Sequence, residues 1–229
     1  MHGRKSSNSR RTALVLATAA VAAVPLLTAC GNDAHPGAAA VLGSDRITVS
    51  QLENRVNEVR DAQQAATKDD QQYEQAIAKS GNLTRNTLNS MVFDRVLHRA
   101  AADAGVTVTR RQVQEREAAM AQQAGGVRQL ELALLEQYNI APERIADSAR
   151  TDLEVMGLAQ KVGANMQSQS EADQAPFWKA LDQASKELNV GLNPRYGTWD
   201  IAKSHGRADA KTPWVREVTS PKTGDQQTA

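Results

Sequence analysis

The 229-residue chain has one cysteine, four histidines and few aromatics: three Trp, three Tyr and two Phe. A single cysteine rules out any disulfide within the chain. The histidines at 2, 35, 98 and 205 are scattered, with no second ligand at metal spacing. No glycine-rich phosphate loop appears, and Gly125-Gly126 reads as a helix break. Metal and nucleotide cofactors are therefore not expected. Runs of Val, Ile, Tyr and Phe that would build a large sheet are missing. The longest apolar stretch, 13–27, falls short of the roughly 20 residues a helical membrane span needs. An excess of one charge is lacking as well. The chain has 27 basic and 26 acidic residues, and four of the basic ones precede residue 30 with no acid among them. The remainder is mildly acidic, which gives no electrostatic reason to expect a nucleic-acid partner.

What the chain has in quantity is Ala, Gln, Glu, Arg and Leu, residues that lose little on entering a helix. The expected class is mainly α.

The first thirty residues read as an export signal. A basic, polar start carries Arg4, Lys5, Arg10 and Arg11, and an Ala/Val/Leu core follows over 13–27. The core ends in Leu27-Thr28-Ala29-Cys30, with Gly31 next, which matches the bacterial lipobox. Cleavage is expected between Ala29 and Cys30, with a diacylglyceryl thioether on Cys30. An unpaired cysteine in an exported chain needs a reason, and lipidation supplies one. Two or three acyl chains on one residue are enough for lasting attachment. Arg10-Arg11 faintly resembles a twin-arginine signal, but Ala13 stands where that motif has Phe, so the export route stays open.

After a short tether at 30–37, two strands are expected at 39–42 and 46–48 around Gly43-Ser44-Asp45. Ser50 with Glu53 reads as a capping box opening a helix with Leu52, Val56 and Val59 inward. The stretch 62–81 is polar and weakly patterned, a frayed helix or a loop. The strongest helix is 84–104, with Leu88, Met91, Val92, Val96 and Ala100 as its stripe and Gly105 as its stop. Thr109 and Gln112 form another capping box, for a helix carrying Val113 that Gly125 breaks. The next helix places Leu130, Leu134 and Tyr138 inward. Pro142 opens one with Ile145, Ala149, Leu153, Met156 and Ala159 inward, running to about Val162. A polar linker at 163–175 precedes a final helix opened by Pro176, with Phe177, Leu181, Ala184 and Leu188 on its face. The segment 190–197 reads as extended, and 201–229 as irregular, with a disordered composition beyond 220.

Few residues carry chemistry. Asp94 and His98 sit one turn apart and read as an exposed helical ion pair. Five of the eight aromatics fall between 177 and 214. Phe177 is in register with the core face, while Trp178 is one position off it and is the candidate for an exposed side chain that binds apolar segments.

The order of these motifs resembles the SurA N-terminal family of exported folding factors. Residues 40–48, Ala-Val-Leu-Gly-Ser-Asp-Arg-Ile-Thr, are similar to the hairpin that opens that family's domain. Residues 88–113 are similar to its leucine-rich helix followed by Gly-Val-x-Val-Thr. Residues 130–162 are similar to its closing helix pair, with Asn139 in place of a glycine. Asn193-Pro194-Arg195-Tyr196-Gly197-Thr198-Trp199 looks like the piece that follows the isomerase domain in related lipoproteins.

The resemblance implies a helical chaperone domain over 38–200, with a small β element made by the N-terminal hairpin and a returning C-terminal strand. Many relatives insert a parvulin-type prolyl isomerase domain, and the gap at 163–175 is too short to hold one. The implied protein is a non-catalytic, ATP-independent folding factor, lipid-anchored on the extracytoplasmic face of a membrane, whose partners are unfolded or newly exported proteins. The alternative is a scaffold lipoprotein with one dedicated cell-envelope partner. Lipidation is directly checkable. Cys30→Ala should leave the protein unprocessed or unanchored, shifting it from the detergent phase to the aqueous phase, and the wild-type N-terminus should carry lipid by mass spectrometry.

Overall fold

A computed structural model describes residues 37–67, 73–75 and 82–209. The expected cleavage and lipidation positions, Ala29 and Cys30, lie with the rest of 1–36 and with 210–229 outside the described residues.

Strands β1 (Ala38–Leu42) and β2 (Asp45–Thr48) form the expected hairpin around Gly43, whose φ of 60° suits a residue without a Cβ. Helix α1 (Val49–Ala66) follows directly. Its capping box is Thr48 with Gln51 rather than Ser50 with Glu53. Thr48 is still extended and its hydroxyl accepts from the Gln51 amide at 3.1 Å, while the Gln51 side chain accepts from the Thr48 amide at 2.8 Å. Ser50 is already helical, so it has no cap to make. Of the stretch 62–81, residues to Ala66 continue α1, and much of the rest lies outside the described residues.

Helix α2 (Leu83–Asp103) is the centre of the molecule. Leu88, Val92, Val96 and Leu97 are fully buried, and α1, β1 and the helices at 145–162 and 171–187 pack around it. It ends where Gly105, at φ 71°, lets the Val106 amide reach the Ala101 carbonyl at 2.8 Å and its own amide reach Ala102. Helix α3 (Arg110–Ala124) starts on the expected Thr109/Gln112 box and stops at left-handed Gly125. Helix α4 (Val127–Tyr138) ends on Asn139, also left-handed at φ 55°. Asparagine tolerates that conformation, which is why it can stand where the family resemblance implies a glycine.

After a 3-10 turn at Pro142–Arg144, helix α5 (Ile145–Val162) serves two cores. Its start joins Leu130 and Leu134 in a small cluster under α3 and α4; its end gives Leu158 and Ala159 to the main core. Because the inward face rotates between the two, Met156 is 56% exposed, against the inward expectation. Tyr138 is corrected for a related reason. Steps of four residues drift by about 40° each on a 3.6-residue helix, so Tyr138 is turned about 80° from Leu130 and stands 65% exposed, while Leu135 takes the buried place.

Helix α6 (Glu171–Glu187) begins five residues before Pro176, so the linker is 163–170 and the proline lies inside the helix. Glu171 and Asp173 suit the helix start electrostatically. Phe177, Leu181 and Ala184 are buried as expected. Strand β3 (Gly191–Leu192) then returns to β1, pairing Leu192 with Ala40 and Gly191 with Val41 in a sheet of order β2-β1-β3. The C-terminal strand and N-terminal hairpin thus form the expected β element.

Residues 201–208 are not irregular, and the rest of the expected irregular tail, 210–229, lies outside the described residues. A 3-10 turn at Pro194–Tyr196 leads to strand β4 (Thr198–Asp200), helix α7 (Ile201–Ser204) and strand β5 (Gly206–Ala208), which pairs back with β4. Ile201 is 2% exposed in the main core, so the described fold extends to Asp209 rather than stopping at 200. Truncation after Lys186 should therefore lower the melting temperature sharply. Truncation after Ser220 should change it little, since nothing described is removed. Equal, small effects in thermal melts would mean the C-terminal elements are an independent appendage.

Candidate functional site

Helices α2 and α5 pack side by side, and their polar flanks frame two cavities on either side of one contact. The smaller, of about 300 Å³, lies between the first half of α2 and the α4–α5 turn. Asn86, Asn89 and Ser90 line one side of it, and Tyr138, Ile140 and Ser148 the other. The larger, of about 450 Å³, reaches from Arg95 and His98 to Arg150, with Leu42 and Leu188 at its base. Asp94, Asp147 and Thr151 border both, so the two cavities form one interrupted groove.

The contact between them is a hydrogen bond from the Thr151 hydroxyl to Asp94 at 3.1 Å. Burial pushes the Asp94 carboxyl above its usual value; the Thr151 bond and Arg55 oppose that, and Asp147 and Glu154 add to it. One turn on, His98 Nδ1 meets Glu154 at 3.0 Å, and Glu154 is 6% exposed. The two residues expected to pair with each other along α2 thus each reach across to α5 instead. An ion pair within α2 loses to partners on the neighbouring helix because those partners are themselves partly buried and need hydrogen bonds.

Arg144 holds the groove's far rim. It donates to both oxygens of Glu58 on α1, at 2.7 and 2.5 Å, and also to Asp147 at 3.3 Å. The Arg144 guanidinium holds the Glu58 carboxyl below its ordinary range, and Arg144 itself is pushed up by the same bonds. Arg95 ties α2 to the hairpin through Asp45 at 3.0 Å. These pairs fix three elements around the groove without filling it.

The sequence-predicted aromatic cluster is mostly structural. Trp178 is half-buried and not the exposed side chain expected: its indole stacks on the His205 ring at 3.9 Å and 10°. It also donates to Gln174 at 3.4 Å and packs on the main core. A segment taken to be irregular therefore covers it. Trp199 donates to Ser185 at 2.7 Å, and Arg195 lies over the Tyr196 ring at 5.3 Å. Trp214 lies outside the described residues. Tyr138, missed as a site residue, is the large exposed ring at the groove. Counting helical phase past two turns would have found it.

Chemically the groove offers amide and hydroxyl groups beside Met91, Phe93, Tyr138 and Ile140. Such a lining can pair with an extended backbone while taking up apolar side chains. Among the described residues no group of three or more His, Cys, Asp or Glu side chains is placed to hold a metal ion, and no helix is long and apolar enough to cross a membrane.

The architecture is that of a helical domain closed by its own two ends, with a polar-rimmed groove between the central helix and its partner. A family profile described as the SurA-like N-terminal domain matches residues 4–159, more than half the chain. The chain belongs to that SurA-like family. No curated protein and no solved structure matches it. The profile ends within α5, so α6 and the strands that complete the fold lie beyond the matched span.

Asp94 gives this site a pH test. Native Asp94 keeps its proton to higher pH than the unfolded chain does, so stability falls as pH rises above 3.8 through its raised native value. Asp94→Asn retains an acceptor for Thr151 and removes the half-buried charge. Thermal melts should show the variant at least as stable as the parent at pH 7, with any advantage shrinking toward pH 4. A variant less stable at pH 7 would mean that the ionised bond to Thr151 outweighs the burial.

Proposed function

We propose that the protein is a lipid-anchored, extracytoplasmic folding factor that binds extended segments of unfolded exported proteins without ATP and without catalysis. The supporting observation is the α2–α5 groove in a chain of the SurA-like family, with backbone-pairing groups set beside exposed apolar surface. Cys30 supplies the anchor in this reading, and the short linker at 163–170 stands where relatives carry an isomerase domain. Clients enter as extended chains, bury one or two apolar side chains against Tyr138 and Ile140, and leave when their own folding offers better burial. Affinity for each segment is then modest, as suits a factor that must release its clients. Binding depends little on salt, because the rim charges are already paired within the protein.

The mature chain from Cys30 onward should delay aggregation of reduced, carboxymethylated α-lactalbumin at a few-fold excess without ATP, and should not accelerate prolyl isomerisation in a peptide assay. Tyr138→Ala should weaken that delay several-fold while shifting the melting temperature by no more than a degree or two, since exposed positions contribute little to stability. Failure to delay aggregation, with tight binding of one native envelope protein instead, would replace this reading with that of a dedicated scaffold.

A further inference from the structure

The charges along the groove do not cancel at its midpoint. Arg95 pairs with Asp45, and Arg99 with Asp103 and Glu187. Arg55 and Arg144 share Glu58, and Arg144 also reaches Asp147. Arg150 borders only the larger cavity and donates to the Val108 carbonyl at 3.3 Å, on the connection between α2 and α3. Asp94 is left with the Thr151 hydroxyl, and among the described residues no Lys or Arg stands at ion-pair distance from it. Asp147 and Glu154 are near enough to make its ionisation harder, while Arg55 favours it without a hydrogen bond. Asp94 and Asp147 both border the two cavities, so this excess of negative charge lies in the middle of the groove.

Apolar surface adjoins it. Phe93, Tyr138 and Ile140 line the smaller cavity together with Asp94 and Asp147. A lysine or arginine side chain suits such a place twice over. Its methylenes lie along the apolar wall while its charged head reaches the carboxylates, and an aromatic ring face adds attraction for the cation. An anion would be repelled by the same carboxylates, and they do not converge as a metal-binding set among the described residues. The stretch of α2 that lines the smaller cavity, 86–94, is about 12 Å long. That is the reach of about three to four extended residues, so one short segment can supply both the cation and an apolar side chain.

Resting on the groove reading above, we propose that the α2–α5 groove selects client segments that carry a lysine or arginine within a few residues of an apolar side chain, with the cation at Asp94 and Asp147 and the apolar group against Tyr138 and Ile140. One half-buried charge pair of this kind should strengthen binding about five- to tenfold over an uncharged side chain. It is screened less than an exposed pair, so the weak salt dependence expected above is kept.

The test uses the mature chain from Cys30 onward and a short fluorescein-labelled peptide of Gly, Ser and Asn that holds one Trp. A Lys, a norleucine or a Glu follows that Trp three residues later. Fluorescence anisotropy should show the Lys peptide binding about five- to tenfold more tightly than the norleucine peptide, with the Glu peptide weakest. Asp94→Asn should bring the Lys-to-norleucine ratio close to one; if that variant does not fold, Asp147→Asn should lower the same ratio at least twofold. Glu115→Gln, which removes an exposed acid on α3 away from both cavities, should leave the ratio as it is. Equal affinity for the Lys and norleucine peptides, tighter binding of the Glu peptide, or a ratio unmoved by the folded groove variant would overturn the proposal. Delayed aggregation of reduced, carboxymethylated α-lactalbumin, with the Lys and norleucine peptides bound alike, would keep the folding-factor reading and remove this one. Lys-selective binding that Asp94→Asn abolishes, in a protein that never delays aggregation, would do the reverse.

Discussion

The fold depends on one closure: β3, two residues long, laid against β1. Its ladder is short, and Asn193 brackets it, donating its amide to the Ala39 carbonyl at 2.9 Å and its side-chain amide to Ala38 at 3.2 Å. Each such bond contributes only about 1 kcal/mol net. Burial contributes more. Phe177, Leu181 and Ile201 are each at most 2% exposed, and a side chain of that size contributes roughly 1.5–3 kcal/mol when fully buried. The strand pairing therefore sets the register of the return, while the helix before it and the turn after it supply most of the stability.

That closure explains why the groove exists. With α1, β1, α6 and β5 packed around α2, the flank of α2 that faces α5 carries polar side chains that include Asn86, Asp94 and His98. Helix α5 cannot lie flat along the whole of that flank, because its first turns are committed to the small core of Leu130, Leu134 and Ile145. Its later turns are drawn to the main core by Leu158 and Ala159, and Gly157 beside them approaches Val106 so closely that a Cβ would stand 2.7 Å from a Val106 methyl. Between these commitments the two helices touch through Asp94 and Thr151 and leave space on either side. The cost of the groove is a half-buried carboxyl at Asp94, and the ion pairs from Arg144 and Arg95 keep its walls in place.

Much of this was legible in the sequence. The α2 stripe, the Thr109/Gln112 box, the glycine stops and the returning strand all rest on local signals or on the order of motifs. The errors have physical causes. Ser50 loses the cap because Thr48 is the last extended residue before the helix. Pro176 misleads because a first-turn preference was read as a start, although Ser170 and two acidic residues already supply one. Extending a stripe along helices whose buried face rotates puts Tyr138 and Met156 inward, where the structure has them exposed. Trp178 was placed outward because its cover, His205, comes from a segment with no periodicity to announce it. The groove itself was not legible: Asp94–Thr151, His98–Glu154 and Glu58–Arg144 join residues far apart in sequence, and no spacing rule connects them.

The central claim is that the α2–α5 groove, and not another surface, receives unfolded chain. Amide chemical-shift mapping on isotopically labelled mature protein, titrated with reduced, carboxymethylated α-lactalbumin, tests it most directly. The account predicts that the largest shifts cluster at 86–98 and 138–154, saturating together at one midpoint. Shifts centred on α3 and α4, on the β4–β5 ribbon, or spread evenly over the surface would contradict it.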